Sequence, residues 1–151
     1  PVQEAAAVYE AIARHGARWG IDPGRLAFGG SSAGANVAIG GFEAVAPNVR
    51  DVLRCGAFLV GVFDDALDTG TMRQYGEAGL LPSLASARQM FEEYAGAGGH
   101  RRDPRFNGLL QDASRWPPLF LEAAEVDRDV EWMDGDGLAG HVRGWSARVC
   151  V

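Results

Sequence analysis

The 151-residue chain is 47% hydrophobic and 23% charged, the profile of one globular domain with a core to bury. Twenty acidic against fourteen basic residues leave a net charge of −6, which argues against a grip on nucleic-acid phosphates or an anionic membrane. The longest apolar run, residues 55–63, contains two glycines and falls far short of the roughly 20 residues a spanning helix needs. The sequence opens on proline, without a basic start or a cleavage site, so no signal peptide is expected. It reads as an interior piece of a longer chain. Cys55 and Cys150 sit in apolar stretches without zinc-like Cys and His spacing. They are expected to be small buried side chains in a reduced, cytoplasmic setting, and nothing implies a metal or cofactor.

Ala5, Val8, Tyr9, Ile12, Gly16 and Trp19 recur at helical spacing, and Gly20 with Asp22-Pro23-Gly24 supplies the stop and turn. A short apolar strand over 26–30 runs directly into Gly29-Gly30-Ser31-Ser32-Ala33-Gly34. From residue 33 to about 45 the helical period returns, with Pro47 and Asn48 expected to close the helix. Gly40 and Gly41 each cost such a helix roughly 1 kcal/mol, which close packing against a neighbouring strand would justify. Residues 52–62 are apolar apart from Arg54, suiting a strand covered on both faces of a parallel sheet.

A polar loop follows at 64–71. Ser83 is placed to cap a helix reaching about Tyr94, with Leu84, Ala87, Phe91 and Tyr94 on one side, and 95–104 reads as irregular. Pro117-Pro118 precedes a third strand over 119–124, which ends in the acidic loop Glu125-Val126-Asp127-Arg128-Asp129. A helix over 132–143 and a fourth strand over 147–151 complete the order. Strands alternating with helices imply a parallel, doubly wound α/β sheet. Ligands in such sheets sit beyond the carboxyl ends of the strands, and both the serine cluster and the acidic loop fall at that edge.

Gly30-Ser31-Ser32-Ala33-Gly34 matches the glycine-x-serine-x-glycine elbow, a sharp strand-to-helix turn that lifts a serine hydroxyl above the sheet edge. With 21 glycines and six serines in the chain, only about 0.1 chance matches are expected, and the match falls between a strand and a helix as the motif requires. The flanking Gly30 and Gly34 are expected to leave room that a side chain would fill. A serine needs a base to take its proton and a carboxylate to orient the base, in the chain order serine, acid, histidine. Asp127 stands just past the third strand where the acid belongs, with Glu125 and Asp129 competing for the role. His15 and His100 precede it, and His141 falls in a predicted helix, so each histidine reads as a surface residue rather than as the base.

Tyr9-Glu10-Ala11-Ile12, then Ile21-Asp22-Pro23-Gly24-Arg25-Leu26-Ala27-Phe28-Gly29-Gly30-Ser31-Ser32-Ala33-Gly34-Ala35-Asn36, resembles the elbow region of the hormone-sensitive-lipase-like esterases, a family of α/β-hydrolases. The likeness continues in order through Gly61-Val62-Phe63-Asp64, Asp68-Thr69, Tyr75-Gly76, Asp103-Pro104-Arg105 and Pro117-Pro118-Leu119 to Asp127. It covers nearly the whole chain.

The resemblance implies a partial α/β-hydrolase fold of about four parallel strands, forming one domain over 1–151 with 64–111 as a cap-like insert. It implies Ser32 as nucleophile, Asp127 as acid and the Ala33 backbone N–H as an oxyanion donor, acting on a small ester through an acyl-serine. The family usually carries Asp where Ser31 stands, and proline and leucine where Arg128 and Asp129 follow the acid, which keeps Asp129 as runner-up. The family's His-Gly-Gly loop and catalytic histidine match nothing here, so the polypeptide as given is expected to be inactive. The alternatives are a non-catalytic small-molecule-binding protein on the same fold, as in hormone receptors that resemble this family, or a related amidase or acyltransferase.

An unpaired apolar first strand presents a sheet edge. Expressed alone, this polypeptide is therefore expected to self-associate at tens of micromolar, which light scattering checks; clean monomeric behaviour would contradict it.

Overall fold

In the computed structural model, four apolar runs form parallel strands, β1 (Leu26–Ser31), β2 (Leu53–Leu59), β3 (Leu119–Ala124) and β4 (Ser146–Cys150). They lie side by side in the order β1-β2-β3-β4, so β1 is an edge strand among the described residues. Residues 1–64, 67, 73, 83–96, 102–124 and 146–150 are described. The helices are α1 (Val2–His15), α2 (Ala33–Ala44), α3 (Pro47–Arg50) and α4 (Leu84–Ala95). Parallel neighbours cannot be joined by a hairpin, and α2 is the crossover between β1 and β2. The expected α/β architecture is therefore present. The acidic loop at 125–129 and the helix expected over 132–143 lie outside the described residues.

The covering of the sheet differs from expectation. Along β1 and β2 burial alternates: Leu26, Phe28, Leu53, Gly56 and Phe58 are buried, whereas Ala27, Gly29, Arg54, Ala57 and Leu59 are exposed. One face packs under α2 and α1, and along the other the described residues of β1 and β2 are exposed. The register shifts between Leu26 and Ala27, which pair with Leu53 and Cys55. The extra residue leaves Arg54 and Cys55 both outside, so Cys55 is an exposed thiol and not the buried side chain that was expected. β2 also stops at Leu59 rather than near Val62, because Val60 turns to φ 44°, a left-handed conformation that leaves the ladder.

The core is a row of aromatic rings supplied by successive elements. Phe28 of β1 stacks on Phe42 of α2 with centroids 4.9 Å apart, and it meets Phe58 of β2 edge-on at 5.6 Å. Phe58 in turn meets Phe63 edge-on, also at 5.6 Å. Ile39, Leu119 and Leu121 fill around them. Offset and edge-on pairs of this kind add about 0.5–1.5 kcal/mol each beyond their buried area.

The stripe read in the sequence over α1 and the turn after it holds in part: Tyr9 and Ile12 pack against the core and Ala5 lies against α2. Val2, Ala6 and Gly16 are buried, while Val8 is 53% and Trp19 58% exposed. Small residues win the inner face because α1 and α2 approach closely. A Cβ at Gly41 would stand 2.9 Å from the Ala5 Cβ and 3.0 Å from the Tyr9 ring. One at Gly40 would collide with the Arg105 carbonyl oxygen and touch Val2. These two glycines therefore make room for a helix and a loop, not for the neighbouring strand that was expected. The Tyr9 hydroxyl donates to the Ala38 carbonyl across the same seam (3.1 Å), and burial pushes its pKa up to about 12.

α2 ends at Val45, which is extended (φ −81°, ψ 158°). Pro47 then starts α3 instead of merely stopping α2, proline being suited to a first helical position. Arg50 of α3 donates to the carbonyls of Phe42, Glu43 and Val45 at 3.0–3.2 Å, satisfying acceptors that the end of α2 leaves open. Ser83 caps α4 as expected, its Oγ accepting from the Ser86 N–H (3.2 Å). Leu84, Phe91 and Val62 pack around buried Leu67 and Ala87 in a cluster of their own. No described helix is long and apolar enough to cross a membrane.

Candidate functional site

The turn from β1 into α2 is sharp and strained. Ser32 has φ 53° and ψ −124°, a region costly for any residue bearing a Cβ and one that persists only where its surroundings enforce it. Two backbone bonds hold it: its N–H donates to the Leu59 carbonyl of β2 (3.0 Å), and its own carbonyl accepts from the Ala35 N–H (3.0 Å). Ser32 stands at the N-cap of α2, where a serine hydroxyl ordinarily accepts from the helix. Here the side chain makes no capping bond and the residue is exposed. The strained backbone turns the hydroxyl away from its usual structural duty.

The neighbouring glycines divide the steric work differently from expectation. A Cβ on Gly30 would collide with the Gly34 carbonyl and lie 2.8 Å from the Ala35 nitrogen, so this position admits glycine alone, as expected. A Cβ on Gly34, in contrast, would meet nothing within 4 Å. Its room is not needed for packing, and the expectation of a clash there is corrected. The second tight position is Gly29, where a Cβ would strike the Ala57 carbonyl on the adjacent strand. Ala33 opens α2, and an N–H at a first helical position has no partner within its helix. It is thus free to point at an anion beside Ser32.

Strand register sets what faces this turn. Ser31 pairs with Leu59, and Leu59 pairs with Glu122, so β1, β2 and β3 reach the same edge in one row. β3 runs only two residues further, to Ala124. At about 4.8 Å between adjacent strands, β1 and β3 are about 10 Å apart. Asp127, Asp129, Glu125, His100 and His141 lie outside the described residues. His15 is exposed at the end of α1, its ring 6.4 Å from that of Trp19, and the chain from there leads to the amino end of β1, away from Ser32.

Behind the turn lies a polar seam that the sequence reading did not single out. Asn36, Asn107 and Gln111 are the buried polar residues among those described, and all three join the 103–111 segment to α2 or to the residues after β2. The Asn36 Nδ2 donates to the carbonyls of Val62 and Phe106, both at 2.9 Å. Asn107 donates to Asp64 (2.7 Å), and Gln111 donates to the carbonyls of Ile39 (3.2 Å) and Pro104 (2.8 Å). One signal was available: Asn36 is a polar residue one turn beyond Ser32 on a helix otherwise apolar almost all round.

A family model described as alpha/beta hydrolase fold matches residues 1–150, and the chain belongs to that family. The solved structures that it resembles share this fold. EstE1, a thermophilic and thermostable carboxylesterase from a metagenomic library, superposes with a TM-score of 0.83 at 21% identity, over 99% of this chain and 52% of that one. A bacterial heroin esterase gives 0.78 at 24% identity, over 99% and 49% of the two chains. An esterase of the bacterial hormone-sensitive lipase family gives 0.78 at 19%, again over 99% and 49%. At such identities the likeness is one of fold, and this chain spans about half the length of each of these proteins. No curated protein matches it.

Proposed function

We propose that the whole protein hydrolyses small carboxylic esters through an acyl-serine intermediate, with Ser32 as the nucleophile. The observation that carries this reading is the strained φ of 53° at an exposed serine whose hydroxyl does not cap its own helix. In the first step the Ser32 Oγ attacks the ester carbonyl carbon as a base removes its proton, and the alcohol leaves with a proton returned by that base. Water then repeats the sequence on the acyl-serine and releases the acid. The Ala33 N–H donates to the tetrahedral oxyanion, an interaction worth about 2.7–4 kcal/mol in the transition state. Asp127 is the proposed acid, with Asp129 as runner-up. The base is proposed to be a histidine that follows the strand corresponding to β4. An imidazole lying between can span the roughly 10 Å between the β1 and β3 ends. Segment 64–111 is proposed to form part of the cover over the acyl and alcohol pockets.

The test is labelling of the complete protein with a fluorophosphonate probe, followed by mapping of the adduct. Stoichiometric phosphonylation of Ser32 is the expected result. Label on another residue would overturn the assignment, and a complete protein that binds ester analogues without labelling would favour the non-catalytic binding alternative. Labelling together with faster turnover of amides than of esters would point to an amidase.

A further inference from the structure

We infer that Asn36 is the positioning residue that holds the strained Ser32 backbone in place, by closing a ring between the first turn of α2 and the residues that leave β2. One side of the ring is Ser32 to Asn36; the other is Leu59 to Val62. At one end the Ser32 N–H donates to the Leu59 carbonyl (3.0 Å), and at the other the Asn36 Nδ2 donates to the Val62 carbonyl (2.9 Å). Both left-handed residues of this region, Ser32 at φ 53° and Val60 at φ 44°, lie within the ring. Neither conformation is favourable by itself, least of all for a β-branched valine, so each must be held from outside.

Val60 is held in part by its N–H, which donates to the Glu122 carbonyl of β3 (2.7 Å). Without the Asn36 bond, α2 would keep its tie to the Leu59 carbonyl but lose the second one at Val62, so the first turn of α2 could pivot about the Ser32–Leu59 bond and the strained turn could relax. The second Nδ2 proton goes to the Phe106 carbonyl (2.9 Å), which ties the ring to the 103–111 segment. That segment is itself anchored by the Gly108 N–H donating to the Phe63 carbonyl (2.8 Å). Asn36 is only 3% exposed and its Oδ1 accepts no hydrogen bond. An unsatisfied buried acceptor is destabilising. Leucine would fill similar space without it, so a purely space-filling role gives no reason for the amide. Two donors aimed at two carbonyls give one.

The inference about the backbone stands independently of the esterase reading; its consequence for turnover rests on that reading. The experiment uses the complete protein and the variants Asn36→Leu and Asn36→Asp. Leucine removes both bonds, and aspartate, nearly the same shape, replaces two donors by acceptors that face carbonyl oxygens. Amide hydrogen exchange at Ser32 is expected to accelerate about tenfold or more in both, while exchange at Phe28 and Phe58 in the core stays within twofold of the parent. For ester hydrolysis kcat is expected to fall roughly 10- to 100-fold with KM nearly unchanged, and aspartate to fall at least as far as leucine. A space-filling role predicts instead that leucine, which keeps the volume without the amide, leaves both kcat and Ser32 exchange near the parental values, whereas a buried carboxylate is costly under either role. Unchanged Ser32 exchange in either folded variant would overturn the inference, as would folded Asn36→Asp with parental kcat. If one variant does not fold, the other decides. A parent that neither turns over esters nor labels at Ser32 would sink the functional proposal alone, and Ser32 exchange would still judge the clamp.

Discussion

Alanine at position 32 is expected to cut ester turnover by the complete protein by about a million-fold while leaving its unfolding curve nearly unchanged. The first number follows from chemistry: removing the nucleophile of a serine hydrolase costs on the order of 10⁶ in kcat, because the remaining groups act only as a unit with it. The second follows from place. Ser32 is exposed and its side chain caps nothing, so losing the hydroxyl breaks no structural bond, and changes at such sites stay within about 0.5 kcal/mol. Alanine also keeps the Cβ and therefore the same strain at φ 53°. Steady-state kinetics beside urea unfolding makes the measurement. Retention of more than about a hundredth of parental turnover would remove Ser32 from the mechanism. An equal collapse of activity and stability would mean that the hydroxyl has a structural role absent from this geometry.

The turn at Ser32 was legible in the sequence for a local, steric reason. A strand-to-helix turn with no room for side chains at Gly29 and Gly30 can be written in few ways, so the local spelling and the local geometry determine each other. β3 was legible for a related reason. Pro118 lacks an N–H to donate and precedes a run of Leu119, Phe120 and Leu121, and the strand begins at Leu119. The Ser83 cap was likewise readable because its bond spans three residues.

What escaped the sequence was set by contacts distant along the chain. Nothing near Gly40 shows that the Arg105 carbonyl, 65 positions later, will lie against it. The choice between Val8 and Ala6 for the inner face of α1 depends on how closely α2 approaches, and the small residue wins although the larger one is more hydrophobic. The alternation in β2 was hidden because Cys55, Ala57 and Leu59 are apolar yet exposed, so apolar residues at these positions gave no sign of which side chains face the core. Asn36 carries little local sign of its role because the partners of its amide, Val62 and Phe106, lie 26 and 70 positions away.

Replacing Phe58 with alanine is expected to lower the unfolding free energy of the complete protein by about 3–5 kcal/mol, a large part of the 5–15 kcal/mol that a folded domain typically holds. Phe58 is 0% exposed and is the middle ring of three, edge-on to both Phe28 and Phe63. Its removal forfeits the transfer energy of the ring and both edge-on contacts, and it leaves a cavity that two strands held in register cannot collapse to fill. Gly56 cannot help, since its own missing side chain makes room for the Leu119 and Phe58 side chains. The expected signature is a lower urea midpoint with an unchanged slope, which reports lost stability rather than a changed denatured state. Phe58 immediately precedes Leu59, whose carbonyl receives the Ser32 N–H, so the loss should also reach the turn: labelling of Ser32 by the fluorophosphonate is expected to slow even in the folded variant. A destabilisation below about 1.5 kcal/mol would mean that β1 and β2 close over the gap, and the rigid aromatic row beneath the elbow would then have to be abandoned.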